Sequence, residues 1–327
     1  MRRLLALMLL VAVIPGTLLR DPPPVVSYAQ RLSITPLALP DAEGQALLGP
    51  FAWRGGWRLA SPNSLFGGYS ALLALDDAKL LAISDSGNTL LLSEPEAPQR
   101  MTLHIGAIGL GRSSAKASRD TEAATRDPRS GTIWLGWEGR NAISRHGPNL
   151  AMQAIAAQPG MKDWPANTGP EALVRLADGR FVVLSEAFPS HFDGKDHAGL
   201  LFGGDPAKGA QARPFTFEGP RGYRPTDMAQ LPDGRVLVLM RRVAWPLPLR
   251  FAGLVVALDP ATLRAGGTWR GKILARLEPP LPVDNFEGIA VRPAPAGGSE
   301  VWIISDDNTS QFQRTLLLRL FLPASRP

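Results

Sequence analysis

Carboxylates and an amide bracket an apolar segment near the end of the chain. Asp284, Asn285 and Glu287 come directly before this short apolar segment. The next apolar segment is followed by Asp306 and Asp307. Oxygen ligands of this kind bind hard divalent cations, and paired carboxylic acids perform general acid–base chemistry. Acid at both ends of one hairpin therefore indicates a site at which several oxygen atoms converge.

The same order of polar residue, strand, turn, strand and polar residue recurs along the chain. Copies start at residues 70, 122, 171, 227 and 287, which gives a period of about 50 to 60 residues. Several copies contain an Asp-Gly turn, which favours a β-hairpin. Acidic residues recur at the start of the first strand (Glu122, Glu171, Asp227 and Glu287) and after the second strand (Asp85, Glu138, Glu186, Asp306 and Asp307).

A repeat of this length with several strands per unit predicts an all-β fold, a β-propeller. We expect six blades, with five or seven as alternatives. The segments 31–57 and 315–322 would supply the sixth blade and close the ring by pairing strands from the two chain ends. The alternative is a β-sandwich, or two β domains with coincidental hairpins, but neither requires acids that recur in step with the hairpins.

In a propeller the first strand of each blade lines a central channel, so the repeated acids would meet there. Unit charges about 4 Å apart repel by roughly 4 kcal/mol at an effective dielectric near 20, and such a ring needs compensation. A bound cation is one solution, and oxygen ligands favour Ca²⁺ or Mg²⁺. Pairing with arginines is a second, and separate solvated turns are a third. The candidate metal ligands are Glu122, Glu171, Asp227, Glu287, Asp306 and Asn285.

The chain has a formal net charge of +6, from 35 Lys and Arg against 29 Asp and Glu. The sequence lacks the clustered basic patch that nucleic-acid binding requires, so we expect a small anionic substrate and no nucleic acid. Arg221, Arg224 and Arg126 lie near the acidic positions and are the candidate substrate-binding residues, because arginine clamps phosphate oxygens in pairs. The alternative is that each of them is a solvated loop residue.

The first residues, Met-Arg-Arg followed by an apolar stretch, resemble a secretory signal. We expect a signal over residues 1–29, or an uncleaved anchor, and one propeller domain over residues 30–327. The protein would then be periplasmic or secreted, monomeric, and without a membrane span in the mature chain. Cysteine is absent from the sequence, which excludes disulfides and thiolate metal ligands.

Several of these segments together resemble a known family. Residues 285–290 (Asn-Phe-Glu-Gly-Ile-Ala), 169–173, 179–186 and 304–308 (Ile-Ser-Asp-Asp-Asn) are similar to the phytase-like domain of bacterial secreted proteins, described as esterase-like activity of phytase. The resemblance implies a β-propeller, export, and hydrolysis of a phosphoester with Ca²⁺ in the channel. Glu171, Glu287 and Asp227 are then the candidate catalytic residues. The alternative function is a non-catalytic propeller that binds a ligand or a protein and holds a structural cation.

Overall fold

The computed structural model describes residues 25–96, 102–108, 120–165, 168–187, 194–246, 249–308, 310 and 312–324. The charged and apolar parts of the predicted export signal lie outside these residues. From Ser27 onwards the chain contacts the folded domain, since the Ser27 carbonyl accepts a hydrogen bond from the Ser64 N–H at 2.7 Å. Within the described part of the chain, no helix is both long enough and apolar enough to cross a membrane.

The described residues form five antiparallel sheets arranged as blades, with one short parallel addition to the third. The chain begins with β1 (Ser33–Pro36), helix α1 (Ala42–Leu47) and β2 (Ala52–Ala60). The first blade contains β3 (Tyr69–Leu75), β4 (Lys79–Ser84), β5 (Asn88–Ser93) and β6 (Leu103–Ala107). The second contains β7 (Thr121–Arg126), β8 (Ile133–Trp137), β9 (Ala142–His146) and β10 (Met152–Ala157).

The third blade contains β11 (Pro170–Arg175), β12 (Phe181–Ser185), β13 (Asp196–Phe202) and β14 (Ala212–Glu218), with β18 (Thr268–Arg270) parallel to β14. The fourth contains β15 (Arg224–Gln230), β16 (Val236–Pro246), β17 (Leu249–Leu258) and β19 (Lys272–Leu277). The fifth contains β20 (Asn285–Pro293), β21 (Ser299–Asp306) and β22 (Thr315–Leu322), and β2 and β1 complete it. Short 3₁₀ helices lie at Glu138–Arg140, Pro159–Met161 and Pro206–Lys208.

The prediction of six blades is wrong, because the two chain ends do not form a blade of their own. β22 pairs with β21 on one side and with β2 on the other, and β2 pairs with β1. The end segments therefore become the outer strands of the last repeat, which has only two strands without them. The predicted closure by pairing strands from the two ends is present within this fifth blade.

The first strands of the blades, β3, β7, β11, β15 and β20, each contact the next one round a closed ring. Side chains alternate between the two faces of each strand, so that a blade packs against both neighbours. On β12, for example, Phe181 and Val183 belong to the core shared with the second blade, whereas Val182 and Leu184 belong to the core shared with the fourth. This double burial explains why the repeats appear as continuous apolar runs. It also fixes the first strands round one axis.

Candidate active site at the acidic channel mouth

Each first strand contains a β-bulge close to its start. The pairing with the second strand skips one residue in every blade, and these residues are Ser70, Glu122, Glu171, Thr226 and Glu287. A bulge leaves its residue unpaired and changes the direction of its side chain. Because the bulges occur at the same place in every blade, their side chains form one layer round the axis, which we call the bulge layer.

A second layer comes from the second strand of each blade, one position beyond the partner of the residue that precedes the bulge. It consists of Asp85, Glu138, Glu186, Arg241 and Asp306, and we call it the exit layer. Asp120 and Asn285 lie two residues before a bulge and border both layers. A backbone hydrogen bond connects Asp120 to the exit layer, since the Glu138 N–H donates to the Asp120 carbonyl at 2.9 Å. The predicted convergence of the repeated acids on one channel mouth is therefore present in the structure.

The second blade places three carboxylates together. One oxygen atom from each of Asp120, Glu122 and Glu138 lies within 4.8 Å of the other two. Burial raises the pKa of Glu122 well above its usual range, and the charges of Glu287, Glu138, Asp85 and Asp120 add to the effect. Glu287 belongs to the fifth blade, which is not next to the second, so the electrostatic contact crosses the axis.

Glu138 also connects to the third blade. Its Oε1 accepts a hydrogen bond from the Gly169 N–H at 3.3 Å, and its carboxyl group is hydrogen-bonded to that of Glu171. Two carboxyl groups can share a hydrogen bond only if one of them carries a proton. Burial, opposed by these hydrogen bonds, raises the pKa of Glu138 to about 7. Burial and four neighbouring glutamates raise the pKa of Glu171 as well.

The fourth blade contributes positive charge where the other blades contribute acid. Arg241 occupies the exit-layer position, with its Nε 3.0 Å from Glu287 Oε1 and its Nη2 3.7 Å from Glu186 Oε2. Arg224 Nη1 donates to Glu186 Oε1 at 3.1 Å. The acids of the third and fifth blades on this side are therefore compensated by arginine.

The fifth blade holds Glu287 in a fixed position. Asn285 is 1% exposed and donates from Nδ2 to Glu287 Oε1 at 2.6 Å. Asp306 pairs with Asn285 across the strands and accepts the Asn308 N–H at 2.6 Å. Burial, with repulsion from Glu287 next in size, raises the pKa of Asp306 to about 8. Asn285, Glu287 and Asp306, which the sequence predicted as ligands, thus lie together beside Arg241.

Asp227 lies outside both layers, and its predicted place among the ring acids is wrong. Thr226 is the bulge residue of the fourth blade, whereas Asp227 pairs with Leu239 one position further along. The equivalent residues of the other blades are Ala71, Ala123, Ala172 and Gly288. Asp227 is fully buried and accepts the Met228 and Ile289 N–H groups, each at 2.8 Å. Its carboxylate therefore joins the inner strands of two blades.

The candidate substrate-binding arginines lie in three different places. Arg224 borders the acidic mouth. Arg221 is exposed in the turn before β15. Arg126 lies at the far end of β7, close to the opposite mouth, and pairs with Asp76 at 2.6 Å. Arg224 contacts Glu186 of the exit layer through an ion pair of 3.1 Å.

Asp120 and Arg241 were not singled out from the sequence, and Asp85, Glu138 and Glu186 were recognised as recurring acids without being included among the predicted ligands. Asp120 could have been found from its spacing, because Asp120 and Glu122 repeat the two-residue separation of Asn285 and Glu287. Arg241 falls under the general alternative that arginines pair with the acids, and the sequence does not distinguish it from the other arginines. Its equivalence to Asp85, Glu138, Glu186 and Asp306 depends on the strand register, for which the sequence has no signal.

The fold and the site together define a five-bladed β-propeller with a carboxylate-lined channel mouth. Residues 64–309 match the model of the phytase-like family, described as esterase-like activity of phytase. The match spans most of the chain, and the chain belongs to this family. No curated protein matches the sequence.

Solved structures show a general likeness. One is a protein of unknown function from Bacteroides caccae (11% identity, TM-score 0.33), and the match covers 72% of this chain and 65% of that protein. Another is a gluconolactonase from Xanthomonas campestris (14% identity, TM-score 0.40), with 90% and 88% of the two chains covered. A third is a structural-genomics protein from Bacteroides thetaiotaomicron (11% identity, TM-score 0.46), with 84% and 68% covered. These TM-scores are too low to bear on function.

Proposed function

We propose that the protein is a cation-dependent phosphoric ester hydrolase whose site is the acidic mouth of the propeller. Membership of the phytase-like family supports the reaction class. The observation that carries the proposal is the group formed by Asp120, Glu122 and Glu138, whose oxygen atoms lie within 4.8 Å of one another. Consistent with the predicted signal, we also propose that the protein is exported to the periplasm or secreted.

These residues suit a hard divalent cation such as Ca²⁺. Calcium–oxygen distances are about 2.3 to 2.6 Å, so ligands on opposite sides of one ion lie about 5 Å apart. The separation within the cluster agrees with this limit. The donors are all carboxylates, and repulsion among them favours a bound positive charge. A cation bound there would act as a Lewis acid and would neutralise part of the charge of a phosphate group.

The chain's own residues would divide the remaining tasks. Arg224 and Arg241 face the mouth from the fourth blade, opposite the carboxylate cluster, and can donate hydrogen bonds to phosphate oxygens. Glu287 and Asn285 fix the orientation of Arg241. Glu171, whose carboxyl group is hydrogen-bonded to Glu138, is the candidate to exchange a proton with the leaving-group oxygen.

A non-catalytic propeller with a structural cation is the second candidate. The observation that favours it is burial, because Glu138, Glu171 and Glu287 are each only 8% exposed. A structural ion is fully enclosed, whereas a catalytic ion needs a coordination position that solvent and substrate can reach.

The test is phosphate release from phytate and from p-nitrophenyl phosphate by the purified chain, with Ca²⁺, with Mg²⁺ and with EDTA. Under the proposal, Ca²⁺ supports hydrolysis that EDTA abolishes and that Glu122→Gln and Glu171→Gln each reduce at least 100-fold. Glu43→Gln, a change of an exposed glutamate in α1, should leave the rate unchanged. If Ca²⁺ raises the melting temperature but no ester is hydrolysed, the structural role replaces the catalytic one. If Ca²⁺ changes neither quantity, the cation site itself is rejected.

A further inference from the structure

The opposite mouth of the propeller contains a cavity of about 400 Å³. The inner strand of every blade contributes to its wall. Three positions beyond Ala71, Ala123, Ala172, Asp227 and Gly288, the inner strands carry the wall residues Ala74, Arg126, Arg175, Gln230 and Val291. The volume is at the lower end of the range of small-molecule sites. The cavity lies on the far side of Asp227 from the acidic layers, so it is separate from the site proposed above.

One side of the cavity is cationic. The Arg126 side chain is 13% exposed and pairs with Asp76, whose own side chain is 74% exposed. An ion pair to such an exposed partner contributes little, so Arg126 retains much of its capacity to attract an anion. Arg175 lies 3.7 Å from Asp127, a long contact. Asp127 already accepts hydrogen bonds from the Arg129 N–H and the Ser130 hydroxyl, and its charge is therefore only partly available to Arg175.

The other side of the cavity is apolar. Ala74, Ala290, Val291 and Pro293 line it, and Leu72 and Ile289 lie towards the centre of the ring. Gln230 stands between the two sides and is held by the Ala177 N–H and the Gly234 carbonyl. A ligand that fits this wall has an anionic group at one end and a compact apolar body at the other.

We propose that this cavity binds a small organic anion with an apolar body, through Arg126 and Arg175 at the charged end. The site goes beyond the hydrolase function and is independent of any cation at the acidic mouth. Binding here should depend on both halves of the ligand, because neither an arginine pair in water nor a small apolar wall alone provides strong affinity.

Two fluorescent probes that share one aromatic body test the proposal. 8-Anilinonaphthalene-1-sulfonate carries the anion, and N-phenyl-1-naphthylamine lacks it. Titration of the folded full chain should give one saturable site for the sulfonate with a Kd in the micromolar range and at least tenfold weaker binding of the neutral probe. Arg126→Met should weaken sulfonate binding about tenfold without affecting the neutral probe, and Arg126→Lys should retain most of it.

Two further variants separate this cavity from other surfaces. Ala74→Met fills the apolar side and should weaken both probes, whereas Glu171→Gln at the acidic mouth should change neither. Arg175→Gln provides a second test of the charged end if Arg126→Met does not fold. The proposal is rejected if the sulfonate does not saturate, if it binds no better than the neutral probe, or if the arginine variants bind it with wild-type affinity.

Discussion

Glu138→Gln should stabilise the cation-free protein at pH 8 and weaken its response to Ca²⁺. Glu138 is 8% exposed, and burial raises its pKa to about 7 from an ordinary value of 4.5. The folded state therefore holds the proton more tightly than the unfolded state. The contribution of Glu138 to the unfolding free energy is complete below pH 4.5 and is lost as the pH rises to about 7.

The size of the effect follows from the pKa shift. One pKa unit corresponds to about 1.4 kcal/mol, so a group that titrates near 7 rather than 4.5 destabilises the ionised protein by roughly 3 kcal/mol. Water at the mouth screens part of this, and we expect about 2 kcal/mol. Glutamine keeps an acceptor for the Gly169 N–H and offers an amide donor to Glu171, so the variant retains the local hydrogen bonds.

Urea denaturation followed by tryptophan fluorescence, in EDTA at pH 4.5 and at pH 8, measures the difference in unfolding free energy between variant and wild type. We expect a small difference at pH 4.5 and about 2 kcal/mol in favour of the variant at pH 8. Ca²⁺ at 100 times its Kd should add about 2.7 kcal/mol to the wild type and much less to the variant. The reasoning is refuted if Glu138→Gln behaves like the surface control Glu43→Gln at pH 8 in EDTA.

Three other changes test the remaining parts of the structure. Asp227→Ala should destabilise the protein by about 3 kcal/mol or more, because two buried backbone N–H groups lose their acceptor; a loss in urea denaturation no larger than that of the exposed Asp163→Ala would contradict this. Arg241→Met should cost about 3 kcal/mol at pH 8 in EDTA, because it leaves buried carboxylates uncompensated; Ca²⁺ should recover part of the loss, and an equal loss in the exposed neighbour Arg242→Met would argue against it. Burial lowers the pKa of His197 to about 4, so the contribution of the neutral histidine to the unfolding free energy is lost as the pH falls from 6.5 towards 4. His197→Phe should therefore lose about 2 kcal/mol less unfolding free energy than the wild type when the pH falls to 4.5. If the unfolding free energies of variant and wild type change in parallel with pH, the histidine does not titrate in this way.

The hairpin repeats could be predicted because each blade repeats the same physical problem. A strand buried on both faces needs a continuous apolar run, and a tight turn must follow it, so residues such as 179–186 carry a clear signal. The number of blades depends on which strands pair. β2 and β22 have no acid-bracketed hairpin of their own, and nothing in their composition shows that they extend an existing sheet. The error in the blade count comes from this long-range pairing.

The prediction for Asp227 failed for a different reason. A bulge shifts the strand register by one residue and so determines which residue turns towards the mouth. Thr226 and Asp227 are adjacent polar residues at the start of β15, and either could have been the equivalent of Glu122 and Glu171. The alignment of the repeats matched Asp227 to Glu122 and Glu171 because all three are acids, although Thr226 is their structural equivalent. Thr226, like Ser70 in the first blade, hydrogen-bonds to backbone carbonyls of its own and a neighbouring blade.

The fourth blade departs from the acidic repeat, and the two sides of the mouth therefore differ in charge. Carboxylates in every blade would form a uniformly negative ring that attracts cations and repels anionic substrates at all positions. Arg224 and Arg241 replace acid on one side only, whereas Asp120, Glu122 and Glu138 bring three carboxylates together on the other. A cation held by those three acids would leave an anion flanked by positive charge from both sides. An anionic ligand could then bind at a mouth built mostly from acids, and reversing the charge with Arg241→Glu should abolish its binding while cation binding persists.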